Sequence, residues 1–251
     1  MDCKLKGRVA VVTGAGRGLG KAMAVALAAE GVRVALVARN EAELDQTAAE
    51  IVKAGGEAGV FPANVASEEA AHRTEKAVIS RFGTVNILIN NAGRALRKPI
   101  TELAVEDWHS VMETNVTSVF LHCRAFVPHL KGQGYGRILN ISSVMGSISL
   151  PGRTAYSASK SALLGFSRSL ALELAHEGIT VNTISPGLFS TELARPITED
   201  PNLMSEFLSK IPLGRAGKPE EIGQLAVYLC SEAAGYITGS DIFIDGGWTA
   251  C

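Results

Sequence analysis

Tyr156 and Lys160 stand four residues apart in the stretch TAYSASKSALLGFSRSLALELA. Its apolar residues recur at helical spacing, so both side chains lie on one face of one helix. Hydride chemistry on a carbonyl needs a proton donor near neutral pH, whereas free tyrosine titrates at about 10. Lowering that value by about three units takes about 4 kcal/mol. One ammonium about 4 Å away supplies about that much at an effective dielectric of about 20. A tyrosine with a lysine one turn along therefore suits acid–base work on a ketone or alcohol. The same spacing also arises as a surface pair, so the rest of the chain must decide.

A second candidate is TGAGRGLGKA, Thr13 to Ala22. A phosphate loop of the GxxxxGK[ST] type fails twice: Ala15 stands where its first glycine belongs, and Ala22 replaces its hydroxyl. GxGxxG fails as well, because its third glycine would fall on Leu19. TGxxxGxG fits, as Thr13, Gly14, Gly18 and Gly20. The motif follows a strand and opens a helix, so backbone N–H groups and the helix dipole would face a pyrophosphate. Glycines let the backbone come close. Tight packing of a βα turn is the bland alternative.

The elements that would position these residues alternate. Residues 8–13, 33–38, 86–90, 137–142, 179–185 and 241–245 read as strands, with a weaker one at 58–63. Their nearly continuous apolar runs suit strands covered on both faces. Helical patterns occupy 18–30, 41–54, 67–82, about 104–130, 154–176 and 219–231. The alternation predicts a doubly wound, mostly parallel α/β sheet. No linker or repeat divides the chain, so residues 1–251 are expected to form one domain. Residues 186–215 hold four of the nine prolines and too weak a pattern for a core element. Such an insertion suits a lid over an active site.

Composition excludes several functions. Of 251 residues, 47% are hydrophobic and 20% charged, enough to bury a sizeable core. Basic residues (24) and acidic residues (25) leave a net charge of −1. They form no long basic run, so nucleic acid and anionic membrane are not expected partners. The first residues carry too short an apolar segment for a signal peptide, and no stretch approaches a membrane span; a cytoplasmic location is expected. Cys3, Cys123, Cys230 and Cys251 are scattered without metal-ligand spacing. They read as reduced thiols with no metal site. His72, His109, His122, His129 and His176 fall in no catalytic motif.

With TGAGRGLG, NNAG (Asn90–Gly93), Asn115, ISS (Ile141–Ser143), YSASK (Tyr156–Lys160), PGLFST (Pro186–Thr191) and DGGW (Asp245–Trp248) in order, the sequence resembles the short-chain dehydrogenase/reductase family over nearly its full length. The resemblance implies a single-domain, seven-stranded Rossmann fold, a nicotinamide dinucleotide and a homotetramer or homodimer. It implies that Tyr156 is the acid/base, that Ser143 polarises the substrate oxygen, that Lys160 also holds the ribose hydroxyls, and that Asn115 orders water behind the lysine. Cofactor contacts are implied for Gly14, Gly18, Leu19, Gly20, Asn64, Val65, Asn91, Ala92, Gly93, Tyr156, Lys160, Pro186, Gly187 and Thr191. Asn64 stands where the family commonly has an aspartate beside the adenine, and its amide oxygen can still accept a hydrogen bond.

Charge discriminates between the two nicotinamide cofactors. NAD sites place an acid about 20 residues beyond the loop, and an arginine there accommodates the 2′-phosphate of NADP. Here the second strand ends in Ala38 and Arg39, and Arg17 lies within the glycine loop. NADP(H) is therefore expected over NAD(H).

The expected reaction interconverts a ketone and a secondary alcohol. The resemblance spans gluconate and polyol dehydrogenases, tropinone-reductase-like enzymes and 3-oxoacyl-[acyl-carrier-protein] reductases. Gly134 and Glu177 align with positions that often carry carrier-docking arginines, which speaks against the last. A non-catalytic NADPH-binding sensor or scaffold is a further reading, although both Tyr156 and Lys160 are present. Arg94, Arg97, Arg153 and Arg195 lie where substrate should enter. They suit an anionic sugar acid or keto acid, unless they are solvated loop charges.

Overall fold

The computed structural model describes residues 3–250, apart from the Leu193 side chain. Seven strands form one sheet in the order β3-β2-β1-β4-β5-β6-β7, and each pairing is parallel. They are β1 (Val9–Thr13), β2 (Arg33–Ala38), β3 (Glu57–Pro62), β4 (Ile87–Asn90), β5 (Gly136–Ile141), β6 (Ile179–Pro186) and β7 (Asp241–Ile244). The order reverses between β1 and β4, where Val11 pairs with Ala35 on one side and Leu88 on the other. Open α/β sheets bind ligands in the crevice beyond the strand ends at such a point.

Continuous apolar strands are required because helices cover both faces. β1 sends Ala10 and Val12 to one face and Val9 and Val11 to the other. On the first face lie α1 (Gly18–Ala29), α2 (Glu41–Lys53) and α9 (Pro219–Cys230), contributing Leu27, Ile51 and Ile222. On the second lie α3 (Glu68–Phe82), α5 (Ser118–Leu130) and α6 (Thr154–Leu174), contributing Val78, Phe126 and Leu163. The architecture is a Rossmann-type α/β fold, as expected. The weak third strand is real but lies at the sheet edge, where its residues stay partly exposed.

Two segments depart from the sequence reading. The single helix expected over about 104–130 is α4 (Val105–Met112), a π-helical turn (Glu113–Thr117) and α5. The π turn carries Asn115, fully buried. Such turns occur mostly as single bulges, frequently at functional sites. The 186–215 segment contains α7 (Arg195–Thr198) and α8 (Pro201–Leu208), the latter capped by the Asp200 carboxylate. It also builds a third apolar cluster of Leu188, Ala194, Phe207 and Ile211 against Trp248, Val144 and Met145. Phe207 meets Trp248 edge-on, centroids 5.6 Å apart. The expectation that this stretch makes no core is therefore corrected. Its apolar residues pack against the distant C-terminal DGGW turn, a partner that local periodicity does not reveal.

Gly20 shows how tightly the first βα turn closes. A Cβ there would lie 2.2 Å from the Gly14 carbonyl oxygen and 2.4 Å from Asn91 Nδ2. Gly20→Ala should cost about 3 kcal/mol, the upper end of ordinary overpacking, read as a lowered urea-unfolding midpoint. A wild-type midpoint would show that the turn has room.

Candidate active site

A cleft of about 850 Å³ opens at the carboxyl ends of the strands. Every site residue expected from the sequence lines it except Gly20 and Asn115, which stand behind its wall. Its first border is the glycine turn, fastened to β4 by Thr13 and Asn91. The Thr13 hydroxyl accepts the N–H groups of Asn91 and Ala92 at 3.0 and 3.1 Å. Asn91 Nδ2 donates to the carbonyls of Thr13 and Gly14 at 2.9 and 3.2 Å. Gly14 and Gly18 take φ of +67° and +56°, which glycine adopts without strain.

Helix α1 begins at Gly18 with no side-chain cap and no acid in its first turn. By contrast, Asn40, Ser67 and Asp200 cap α2, α3 and α8. An uncapped, glycine-lined helix start in a cleft fits the pyrophosphate of a dinucleotide. Thr191 faces it with a hydroxyl that caps nothing, and Gly18 has no heavy atom closer than 3.7 Å to where its Cβ would stand.

At the outer end, Arg17 and Arg39 differ. Arg17 Nη1 lies 3.7 Å from both Glu43 and Glu192. Arg39 is exposed on the cleft wall and has no ion pair among the described residues. Only Arg17 of the two meets carboxylates among the described residues, and the approach of α2 and of residue 192 to the loop has no sequence signal. Asn64 Oδ1 already accepts the Ala66 N–H at 3.2 Å, so its amide is oriented by its own turn. Lys21 pairs with Glu50 at 2.7 Å, away from the cleft wall.

At the inner end, α6 and the end of β5 are stitched together around Lys160. The buried Lys160 ammonium donates to the Ile141 carbonyl at 2.7 Å, and the Ser142 hydroxyl donates to the Lys160 carbonyl at 2.9 Å. Ser142 is thereby committed to structure. Ser143 accepts the Met145 N–H at 3.1 Å and hydrogen-bonds to the Tyr156 side chain. Asn115 Oδ1 accepts the Arg94 N–H at 2.8 Å, while its Nδ2 donates to the Arg94 carbonyl and the Ser159 hydroxyl at 3.0 and 2.9 Å. A Cβ on Gly93 would lie 3.3 Å from Asn115 Oδ1 and 3.4 Å from Lys160 Nζ. Asn115 therefore anchors the loop that runs past the lysine. Two supports, Thr13 and Ser159, were not singled out as site residues from the sequence. Each sits inside a motif, but its role depends on a neighbour far along the chain.

The electrostatics correct the simplest reading of the Tyr156–Lys160 pair. Burial raises the Tyr156 pKa, while the Ser143 hydrogen bond and the Arg153 guanidinium oppose the rise. Tyr156 keeps one side open to the cleft, which moderates the effect of burial. Lys160 Nζ lies 5.8 Å from the Tyr156 ring centre and is turned to Ile141. Tyr156 is held protonated, as a proton donor must be, and Arg153 is the cation that acts on it.

Burial pushes Lys160 itself down to about 8. Below that pH the ammonium is charged in both folded and unfolded chains, and the folded state bears the whole desolvation cost. Between about 8 and about 10.4 the unfolded chain holds more protons, so stability rises with pH. Relative to Lys160→Met, wild type should gain about 3 kcal/mol across that window. Urea unfolding of both proteins at about pH 7 and about pH 10 measures it. A constant difference would show that Lys160 titrates normally.

Cys123 and Cys230 are buried free thiols, whereas Cys251 lies outside the described residues. Among the described residues no His/Cys/Asp/Glu cluster could hold a metal, and no helix is long and apolar enough to cross a membrane.

Comparison with known proteins places this cleft in a family. The family model described as Enoyl-(Acyl carrier protein) reductase, adh_short_C2, matches residues 14–249. A 3-oxoacyl-[acyl-carrier-protein] reductase of Synechocystis sp. is 40% identical over 245 residues, 97% of each chain. D-threitol dehydrogenase of Mycolicibacterium smegmatis is 39% identical over 252 residues, 99% of this chain and 95% of that one. A provisionally assigned NAD(P) dependent gluconate 5-dehydrogenase from Beutenbergia cavernae, solved with bound NADP at low occupancy, superposes with a TM-score of 0.95. It is 35% identical, with 100% of each chain covered. The chain belongs to the short-chain dehydrogenase/reductase family and is an oxidoreductase acting between CH–OH and carbonyl groups.

Proposed function

We propose that the protein uses NADP(H) to interconvert a small ketone and its secondary alcohol. The observation that carries this reading is the placement of Ser143, Tyr156 and Lys160 at one end of a cleft whose other end offers an uncapped helix start and Arg39, which has no ion pair among the described residues. The nicotinamide, when bound, supplies or accepts the hydride. In the reducing direction Tyr156 Oη gives its proton to the carbonyl oxygen as the hydride reaches the carbonyl carbon. Ser143 donates a hydrogen bond to that oxygen, and the Arg153 cation stabilises the phenolate left behind, while Lys160 would hold the ribose hydroxyls of the cofactor. Asn115 holds the 93–94 loop against Lys160, and residues 186–215 close the cleft as a lid built on Phe207 and Ile211. A panel of ketones, keto acids and acetoacetyl thioesters with NADPH, and of polyols and aldonates with NADP⁺, tests this. Cofactor consumption is expected with at least one member. Tight NADPH binding with no consumption favours the sensor reading.

The Synechocystis relative favours a second reading, reduction of a 3-oxoacyl chain on its carrier protein. Against it, Glu177 puts a carboxylate at one docking position, where it accepts the Gly132 N–H at 3.2 Å, and Gly134 has no side chain at the other. An acidic carrier would meet no arginine there. Turnover of acetoacetyl carrier protein above that of free keto acids would favour this second reading. A homodimer or homotetramer is proposed as well, because Phe120 on α5 and Leu172 on α6 are apolar and exposed. Light scattering of the purified chain decides it.

A further inference from the structure

The structure sorts the four arginines near the substrate end. Arg97 and Arg195 are exposed and do not line the cleft, and Arg195 Nε pairs with Glu199 at 3.0 Å. Arg94 lines it, but its guanidinium is turned to the Ser110 hydroxyl. Arg153 lines the cleft half-buried, and its guanidinium has no hydrogen bond or ion pair among the described residues.

The groups that act on Arg153 make this unusual. They are the Tyr156 phenol and a second cation, Arg97, with no carboxylate among them. The acid that does line the cleft near the lid, Glu192, belongs to the Arg17 side. The Arg153 backbone N–H donates to the Leu150 carbonyl at 3.2 Å, and the same cleft has an apolar lining that includes Leu150, Met145, Phe207 and Trp248. A partly desolvated cation without a counter-ion is costly, and such groups ordinarily find an anionic partner. Arg153 stands three residues before Tyr156, as the cap residue of α6. A planar guanidinium presents parallel N–H donors that match a carboxylate with two bonds. An anion gripped there lies on the same molecule as an oxygen within reach of Tyr156.

We infer that Arg153 binds the carboxylate of the substrate, so that the enzyme acts on hydroxy acids and oxo acids in preference to their neutral counterparts. This inference rests on the proposed oxidoreductase reading and adds the substrate class. It also sets the site apart from one built for a thioester, whose reacting end is neutral.

Matched pairs that differ only at the carboxylate test it: gluconate against sorbitol, threonate against threitol, and acetoacetate against methyl acetoacetate. The readout is the ratio of kcat/KM for acid and neutral partner, in wild type, Arg153→Gln and Arg153→Lys. The ratio cancels any effect of Arg153 on Tyr156, which both partners share. In wild type, at least one pair should favour the acid by about tenfold or more, a bidentate charged contact being stronger than a neutral one. Arg153→Gln should bring the ratio near unity, mainly through a raised KM for the acid, and Arg153→Lys should restore part of it. A ratio near unity in wild type, or one that survives Arg153→Gln, overturns the inference and leaves the oxidoreductase reading standing. If NADPH binds and none of the compounds reacts, the oxidoreductase reading fails and the inference falls with it.

Discussion

Tyr156→Phe should turn over at less than about a hundredth of the wild-type rate while binding NADPH with unchanged affinity. A positioned general acid contributes about 10²–10⁴ to rate, and this change removes only the oxygen that carries the proton. The ring packs against the third apolar cluster, which phenylalanine fills equally well. The lost group is the one that Ser143 contacts and Arg153 acts on electrostatically. Steady-state rates with any reactive panel member, together with a fluorescence titration of NADPH, check both halves. Retained turnover would remove Tyr156 as the acid, and lost binding would make it a cofactor-positioning residue instead.

The second large effect concerns the cofactor. NADPH should bind at least about tenfold tighter than NADH, a difference of about 1.4 kcal/mol. Arg39→Ala should erase most of that gap, whereas Arg17→Ala should remove less. Arg17 shares its charge with Glu43 and Glu192, so a 2′-phosphate there meets a cation already partly neutralised by two carboxylates. Arg39 has no such partner among the described residues and stands at the end of β2, where an NAD site keeps its acid. Titrating each protein with both cofactors at one ionic strength measures the gap. Equal curves for wild type would remove the preference, and an unchanged gap in Arg39→Ala would move it to Arg17.

Much of this site was legible because its parts are local. The helix through Tyr156 and Lys160, the glycine turn after β1 and the alternation of strands with helices follow from periodicity and spacing within short windows. What was not legible depends on contacts between distant segments. The π turn at Asn115 lies inside an uninterrupted helical pattern, and only its bonds to Arg94 and Ser159 give it a reason. Arg17 reads as free as Arg39 in the sequence, but the fold brings Glu43 of α2 and Glu192 to it. Lys160 was expected to act on Tyr156 from one turn away, but the Ile141 carbonyl draws its ammonium aside. Arg153, one of four similar loop charges in the sequence, stands out only because the fold leaves it half-buried beside Tyr156, with no ion pair among the described residues.

In the proposed reaction Tyr156 delivers a proton to the carbonyl oxygen, and NADPH, when bound, would supply the hydride. Incubating the protein with NADPH deuterated at the transferred position and the carbonyl panel, followed by mass spectrometry, tests it most directly. An alcohol product with deuterium at the carbinol carbon is expected for wild type and almost none for Tyr156→Phe. Tight cofactor binding with no deuterium in any product, or equal labelling by the two proteins, would contradict it.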